Sequence, residues 1–374
     1  MATGTLSASA FGVLAPFLID EFDITRSQLG LLTTAAFVAG GAGSVPAGGL
    51  VDRFGGRRVL TASMALVAVT TLAMAAAPSY AWMLAAAAVS GCAIAAGNPT
   101  TNKLVAMHVA PGERGVVMGV KQAGVQMSAF FAGSFLPAAS GAFGWRRALA
   151  ATVIVPVAGA LATLRVVPRD ARVDASGPRA RPTAASVVPW IGAYAFLMGL
   201  GVSSTTNYLP LYAREAVGMS VTAGGALTAA LGAMGIVSRV AWGWGTERLG
   251  RFALPLAVMA AGAAAAALLV LYARTAGGAL LWVAALLLGA TAVTWNSVGM
   301  LAVVAEAGPG DAGRASGWVL TGFYGGFVAG PFTFGLSVDR LGSYAWGWAG
   351  VTCSFAIAAA IALAWHAYRR RASR

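Results

Sequence analysis

Lys121 is the cation set deepest in an apolar run of this chain, within the stretch 114–138. It lies about 7 residues into that stretch, or near 10 Å at ~1.5 Å per residue. Such a group can attract a carboxylate or a small inorganic anion. It can equally reach back to an interface along its own stem. Gln122 and Gln126 follow at i, i+4 spacing, so they share a helix face and can line a cavity beside Lys121 or bridge neighbouring helices. Asn98 and Asn296 are amides within other apolar runs. Pro99 after Asn98 frees a backbone carbonyl, and interhelical hydrogen bonding is the plainer role for both amides. Trp295 is the Trp furthest from the ends of a run, suited to a ligand wall or to core packing. Asn207 can contact a ligand or form part of an outer gate, and Tyr324 is a further aromatic candidate.

Enzyme chemistry has no foothold beside these groups. His108 and His366 lie near the ends of apolar runs, and no nucleophile–base pair or metal-ligand cluster is evident. The phosphate-cradling pattern GxxxxGK[ST] is absent, so no cofactor is expected and any work must be drawn from gradients. No acidic residue lies mid-run to pair with Lys121 or to carry a proton, since Asp20, Glu21 and Asp23 sit at a rim.

The elements that must hold these groups are membrane helices. The chain is 58% apolar and 10% charged, against about 25% charged in ordinary soluble domains. Its apolar residues fall in runs near the roughly 20 residues that cross a bilayer. The expected fold is an all-α membrane protein of twelve transmembrane helices. The spans read as helix 1 at 3–19, helix 2 at 28–51, helix 3 at 58–77, helix 4 at 81–106, helix 5 at 114–138 and helix 6 at 146–166. After a polar linker come helix 7 at 188–212, helix 8 at 220–244, helix 9 at 252–272, helix 10 at 278–304, helix 11 at 314–337 and helix 12 at 345–367. Met1 leads straight into apolar sequence without a basic segment, so helix 1 is read as a retained span.

Charge orients the spans. With the N-terminus inside, the inner loops carry about three times as many Lys and Arg as the outer ones, with Arg239 counted among the inner set. Both termini are therefore expected in the cytoplasm, in a cell membrane. The formal charge of +13 is explained by this bias, and no soluble basic domain exists to bind nucleic acid. Cys92 and Cys353 fall in apolar runs and are expected as buried small residues.

One loop stands apart from this pattern. Gly48-x-x-x-Asp52-Arg53-x-Gly55-x-Arg57-Arg58 is a dense block of glycine and charge between helices 2 and 3. A decayed copy stands at Gly243-x-x-x-Glu247-Arg248-x-Gly250-Arg251, at an offset of 195. An offset of 198 aligns Asn98 with Asn296, Pro111 with Pro309 and Glu113 with Asp311. The chain thus reads as a duplication in which 1–166 and 188–374 are pseudo-symmetric six-helix bundles joined by the linker 167–187. Six helices per half give both copies one orientation in the membrane.

The loop resembles the signature between helices 2 and 3 of the major facilitator superfamily, and the resemblance covers essentially the whole chain. Gly144-Trp145-Arg146 is similar to a common turn of that superfamily. The run Gly119-Val-Lys-Gln-Ala-Gly124-Val-Gln126 is similar to helix 5 of bacterial carriers in the cyanate and nitroimidazole branch. The resemblance implies a secondary or facilitative transporter that moves a small solute by rocking its halves. It implies that Asp52 faces the start of helix 11, that Glu247 faces helix 5, and that Arg53, Arg57, Arg248 and Arg251 add cross-links when the cytoplasmic side is closed. Gly48, Gly55, Gly243 and Gly250 would allow the tight turn and close approach. Lys121 and the missing intramembrane acid tilt the substrate toward an organic or inorganic anion. Efflux of amphipathic drugs or metabolites is the alternative, and a non-transporting membrane sensor with the same fold is a third reading. The expected partners are the bilayer and the solute, with a coupling proton or ion left open and the chain monomeric.

Overall fold

A computed structural model describes residues 2–109, 114–168 and 187–372. The described residues are helical apart from short joints, with no strand among them. In order the helices are α1 (Ala2–Phe22), α2 (Arg26–Phe54), α3 (Gly56–Ala75), α4 (Tyr80–His108), α5 (Arg114–Phe143), α6 (Trp145–Ala151) and α7 (Ile154–Val166). They continue as α8 (Val188–Glu215), α9 (Val221–Leu249), α10 (Ala253–Ala276), α11 (Ala279–Ala290), α12 (Trp295–Leu341) and α13 (Tyr344–Ala372). Each expected span maps onto this order, and nine of the described stretches are long and apolar enough to cross a membrane. The linker expected at 167–187 falls, but for its end residues, outside the described residues.

Two expected spans are interrupted, each for a local reason. Helix 6 is split into α6 and α7 at Thr152–Val153. Pro156 follows at once, and its missing N–H leaves the preceding turn without a regular bond. Helix 10 is split after Ala290. There Thr291 Oγ1 donates to Leu287 O (2.6 Å) and Thr294 Oγ1 to Ala290 O (3.0 Å), the back-bonding by which Thr bends helices. The helical assignment then runs without a gap from Trp295 to Leu341 and includes the turn between expected helices 10 and 11. Gly278 before α11 lies against Met219, and Asp339 near the end of α12 against Arg26. Both contacts are at one end of the bundle, so α12 comprises two opposed arms.

Gly55 (φ 87°) turns the chain between α2 and α3, and Gly250 (φ 59°) ends α9. Both adopt left-handed conformations that favour glycine. Trp145 and Arg146 of the Gly144 turn converge on Glu21 at the end of α1, at 2.8 and 2.7 Å. Cys92 and Cys353 are exposed on the outside of the bundle, not buried. An apolar run cannot distinguish a lipid-facing position from a core one, because both are apolar.

α2 defines two ends of the molecule. At the Arg26 end the first and second groups of helices close on each other. Arg26 pairs with Glu215 at 3.0 Å, and Tyr344 Oη donates to Glu215 at 2.7 Å. The backbone N–H groups of Arg26 and Ser27 donate to Asp339 at 3.0 and 2.7 Å. That places a carboxylate of α12 at the N-terminus of α2, where an anion is stabilised. Deeper in, Thr33 Oγ1 donates to Asn207 Oδ1 (2.7 Å) and Thr34 Oγ1 to Val328 O (2.7 Å). At the opposite, Arg57 end, a cleft of about 850 Å³ opens between α2, α4 and α12.

Candidate functional site

A second cavity, of about 130 Å³, lies at the centre. Asn98, Gln122, Gln126, Trp295, Asn296 and Tyr324 all line it. The repeat register that pairs Asn98 with Asn296 thus brings both amides to one space. Asn98 Nδ2 donates to Tyr324 Oη at 3.4 Å. Gln126 is 5% exposed, and Asn296 Oδ1 is buried without a hydrogen-bond partner. Trp295, 1% exposed, serves as wall and as core at once, with Tyr194 and Phe323 rings at 5.6 and 5.3 Å.

The cation of this cavity is Arg239, which the charge count had assigned to the inner side, near the end of expected helix 8. α9 runs on to Leu249, so Arg239 is deep inside the helix, lines the cavity and is 7% exposed. Its position follows from the break in helix 10. That break frees the carbonyls of Ala290 and Val293, and α9 takes both. Trp242 Nε1 donates to Ala290 O (2.8 Å) and Arg239 Nη2 to Val293 O (3.0 Å). The rest of the guanidinium is not spent: Arg239 Nε is buried with no partner. A buried charge is costly unless paired, and no carboxylate faces this one among the described residues. Lys121 is therefore not the sole intramembrane cation.

Lys121 itself is partly buried and donates to Asn102 Oδ1. It is not among the residues lining the central cavity; Asn102 lines the outer cleft instead. Lys121→Gln is accordingly expected to lower anion uptake by no more than about fivefold, the worth of a solvent-screened charge (~1 kcal/mol). A larger loss in vesicle uptake would place Lys121 at the bound ion. Asn207 also lies apart from the cavity. Its Oδ1 accepts from Thr33 and its Nδ2 donates to Ser203 O (2.8 Å), within the closed Arg26 end.

The signature loops lie at the Arg57 end. Gly48 and Asp52 lie in α2, and the Asp52 side chain is outside what the structure describes. Arg57 donates to Leu164 O, within the first group of helices. Arg53, Arg58, Glu247 and Arg251 are exposed, and Arg248 lies over the Trp244 ring, 3.8 Å from its centroid. A side chain added at Gly243 would meet nothing within 4 Å. Arg53, Arg58, Glu247, Arg248 and Arg251 thus make no ion pair among the described residues.

Residues 1–331 match the family model described as Major Facilitator Superfamily. The chain belongs to that superfamily. Major facilitator proteins are transporters and not enzymes, and no cluster of potential metal ligands occurs among the described residues. One relative is the probable nitrate/nitrite transporter NarK2 of Mycobacterium tuberculosis, 29% identical over 250 residues. The match covers 64% of this chain and 62% of that protein, so the chain spans less than two thirds of this relative's length. Another is the 4-hydroxybenzoate transporter PcaK of Pseudomonas putida, 26% identical over 45% of this chain and 37% of its own. Among solved structures, a bacterial homologue of the human lysosomal transporter Spinster superposes with a TM-score of 0.79. It covers 97% of this chain and 93% of its own at 16% identity, which shows a shared major facilitator fold.

Proposed function

We propose that the chain is a secondary transporter that carries a small anion through its central cavity by alternating access. The observation that carries this reading is Arg239, a buried guanidinium that lines the cavity and whose Nε has no partner. An anion is the ligand that offsets such a charge. Two of the relatives are named for anions, nitrate or nitrite and 4-hydroxybenzoate. The amphipathic-drug reading is disfavoured by a cavity of about 130 Å³, well below the roughly 300–1,000 Å³ of drug-sized sites. Purified protein in vesicles should take up labelled nitrate or benzoate down an imposed gradient. Uptake of neither, by protein shown to be folded, would sink the reading.

Within this proposal the two bundles, 1–166 and 188–374, rock about the cavity while 167–187 tethers them. The Arg57 end faces the cytoplasm, together with both termini, and the chain acts as a monomer in the cell membrane. The observed arrangement is then the inward-facing one. The signature loops act in the other state: as the cytoplasmic end closes, Asp52 meets the start of helix 11 and Glu247 meets helix 5. The exposed positions of Arg53, Arg58 and Glu247 at an open end agree with that assignment. Asp52→Ala is expected to shift the population toward the inward-facing state and slow uptake several-fold. Unchanged populations in spin-label distance measurements, with unchanged uptake, would remove the latch.

A further inference from the structure

We propose that the central cavity selects an anion carried on a single flat ring, an aromatic monocarboxylate of about the size of benzoate. This deepens the anion-transport reading and rests on it. Volume is the first ground. The cavity holds about 130 Å³, and an apolar cavity of about 150 Å³ takes one benzene. The cavity is thus on the scale of one ring, and a one-ring carboxylate fits where it adjoins the outer cleft at Asn98 and Tyr324. A nitrate-sized ion leaves most of the wall facing water or a void, and either is unfavourable for apolar surface.

The wall is the second ground. Phe37, Trp295, Phe323, Tyr324 and Phe327 all line the cavity. Their rings form one connected set, with centroids 4.4 Å apart for Phe37–Phe327, 4.7 Å for Phe323–Phe327, 5.3 Å for Trp295–Phe323 and 5.8 Å for Phe37–Tyr324. The interplanar angles lie between 47° and 58°. Rings at such tilts offer both faces and edges to one more aromatic ring. Inorganic anions have no use for them.

The polar groups set the remaining chemistry. Arg239 keeps its Nε free, and a guanidinium matches the two oxygens of one carboxylate. A neutral ring leaves that charge unpaired, and a dicarboxylate brings a second charge for which the described wall holds no second buried cation. Phe37, Asn98, Leu320 and Tyr324 line both the central cavity and the outer cleft, whereas Arg239 lines only the central one. The carboxylate therefore sits deepest, and the ring lies toward the neck that Asn98 and Tyr324 bridge.

Calorimetric titration of the purified full chain with benzoate, benzamide, acetate and nitrate tests this. Benzoate should bind at least tenfold more tightly than each of the other three. Arg239→Gln should weaken benzoate at least tenfold, and Phe327→Leu should narrow the benzoate-over-acetate ratio at least threefold. If either variant fails to fold, the ranking of the four probes on the parent chain decides alone. Nitrate or acetate binding as tightly as benzoate would overturn the aromatic class and leave the anion reading intact. Benzamide matching benzoate would overturn the carboxylate requirement. Absence of binding by all three anions to folded protein would overturn both.

Discussion

Arg239→Gln should abolish most anion uptake without weakening the fold. The guanidinium's free Nε and the fork it belongs to provide charge-assisted hydrogen bonds, each worth about 1.5–3 kcal/mol. Losing one such bond corresponds to about a 10- to 150-fold fall in affinity. The stability change should have the opposite sign or none. Arg239 is buried with one unsatisfied donor and a neutral carbonyl as its partner, so its removal relieves a desolvation cost. A thermal midpoint equal to or above the parent's, together with lost uptake, would separate a binding group from a structural one. Arg239→Lys keeps the charge and loses the planar fork, and should restore only part of the rate. A variant that transports normally would contradict the assignment.

The second large effect is expected from Gly30→Val. A side chain at Gly30 would stand 2.5 Å from the Pro331 carbonyl carbon and 2.7 Å from Tyr208 Oη. Tyr208 cannot yield cheaply, because its single O–H is shared between Arg26 O and Pro331 O at 2.6 and 2.8 Å. The contact joins α2 to α8 and α12 at the closed Arg26 end, so relief comes by separating the helices. Overpacking of this kind costs about 1–3 kcal/mol, which moves a two-state population about 5- to 150-fold. Spin labels on Asp20→Cys and Arg340→Cys, both at that end, would report it. Cys92 and Cys353 must first be replaced, since both are exposed. A longer distance population is the expected result. The same distances as in the parent background would mean that the close approach at Gly30 does not hold this end shut.

The fold was legible because bilayer crossing demands long apolar runs and the repeat doubles the signal. Gln122, Gln126, Asn98 and Asn296 were legible as cavity residues because amides are rare inside such runs. Arg239 was not, for a physical reason. It falls near the expected end of helix 8, where a charge reads as an interface residue, but the helix continues for about 10 residues beyond it, through Trp242 and Trp244. The available signal was its face: Arg239 stands four and seven residues after Gly235 and Gly232, a small-residue stripe that marks a helix packed inward. Lys121 misled by the same measure, since depth along a run does not say which way a side chain points. The aromatic wall was missed because Phe37, Phe323 and Phe327 are ordinary within apolar sequence until three dimensions bring them together.

The break in helix 10 has an electrical consequence. If the chain carries an anion as proposed, calling Arg239 inward to its freed carbonyl would make the empty carrier the charged one and the loaded carrier the neutral one. Voltage then acts on the return step, at about 2.3 kcal/mol per elementary charge for each 100 mV. With the interior negative, resetting an unloaded Arg239 toward the outside runs uphill. A lone monoanion would therefore leave such a cell more readily than enter it. Net accumulation requires that each inward trip also bring positive charge, or that a second anion ride back out on the same guanidinium.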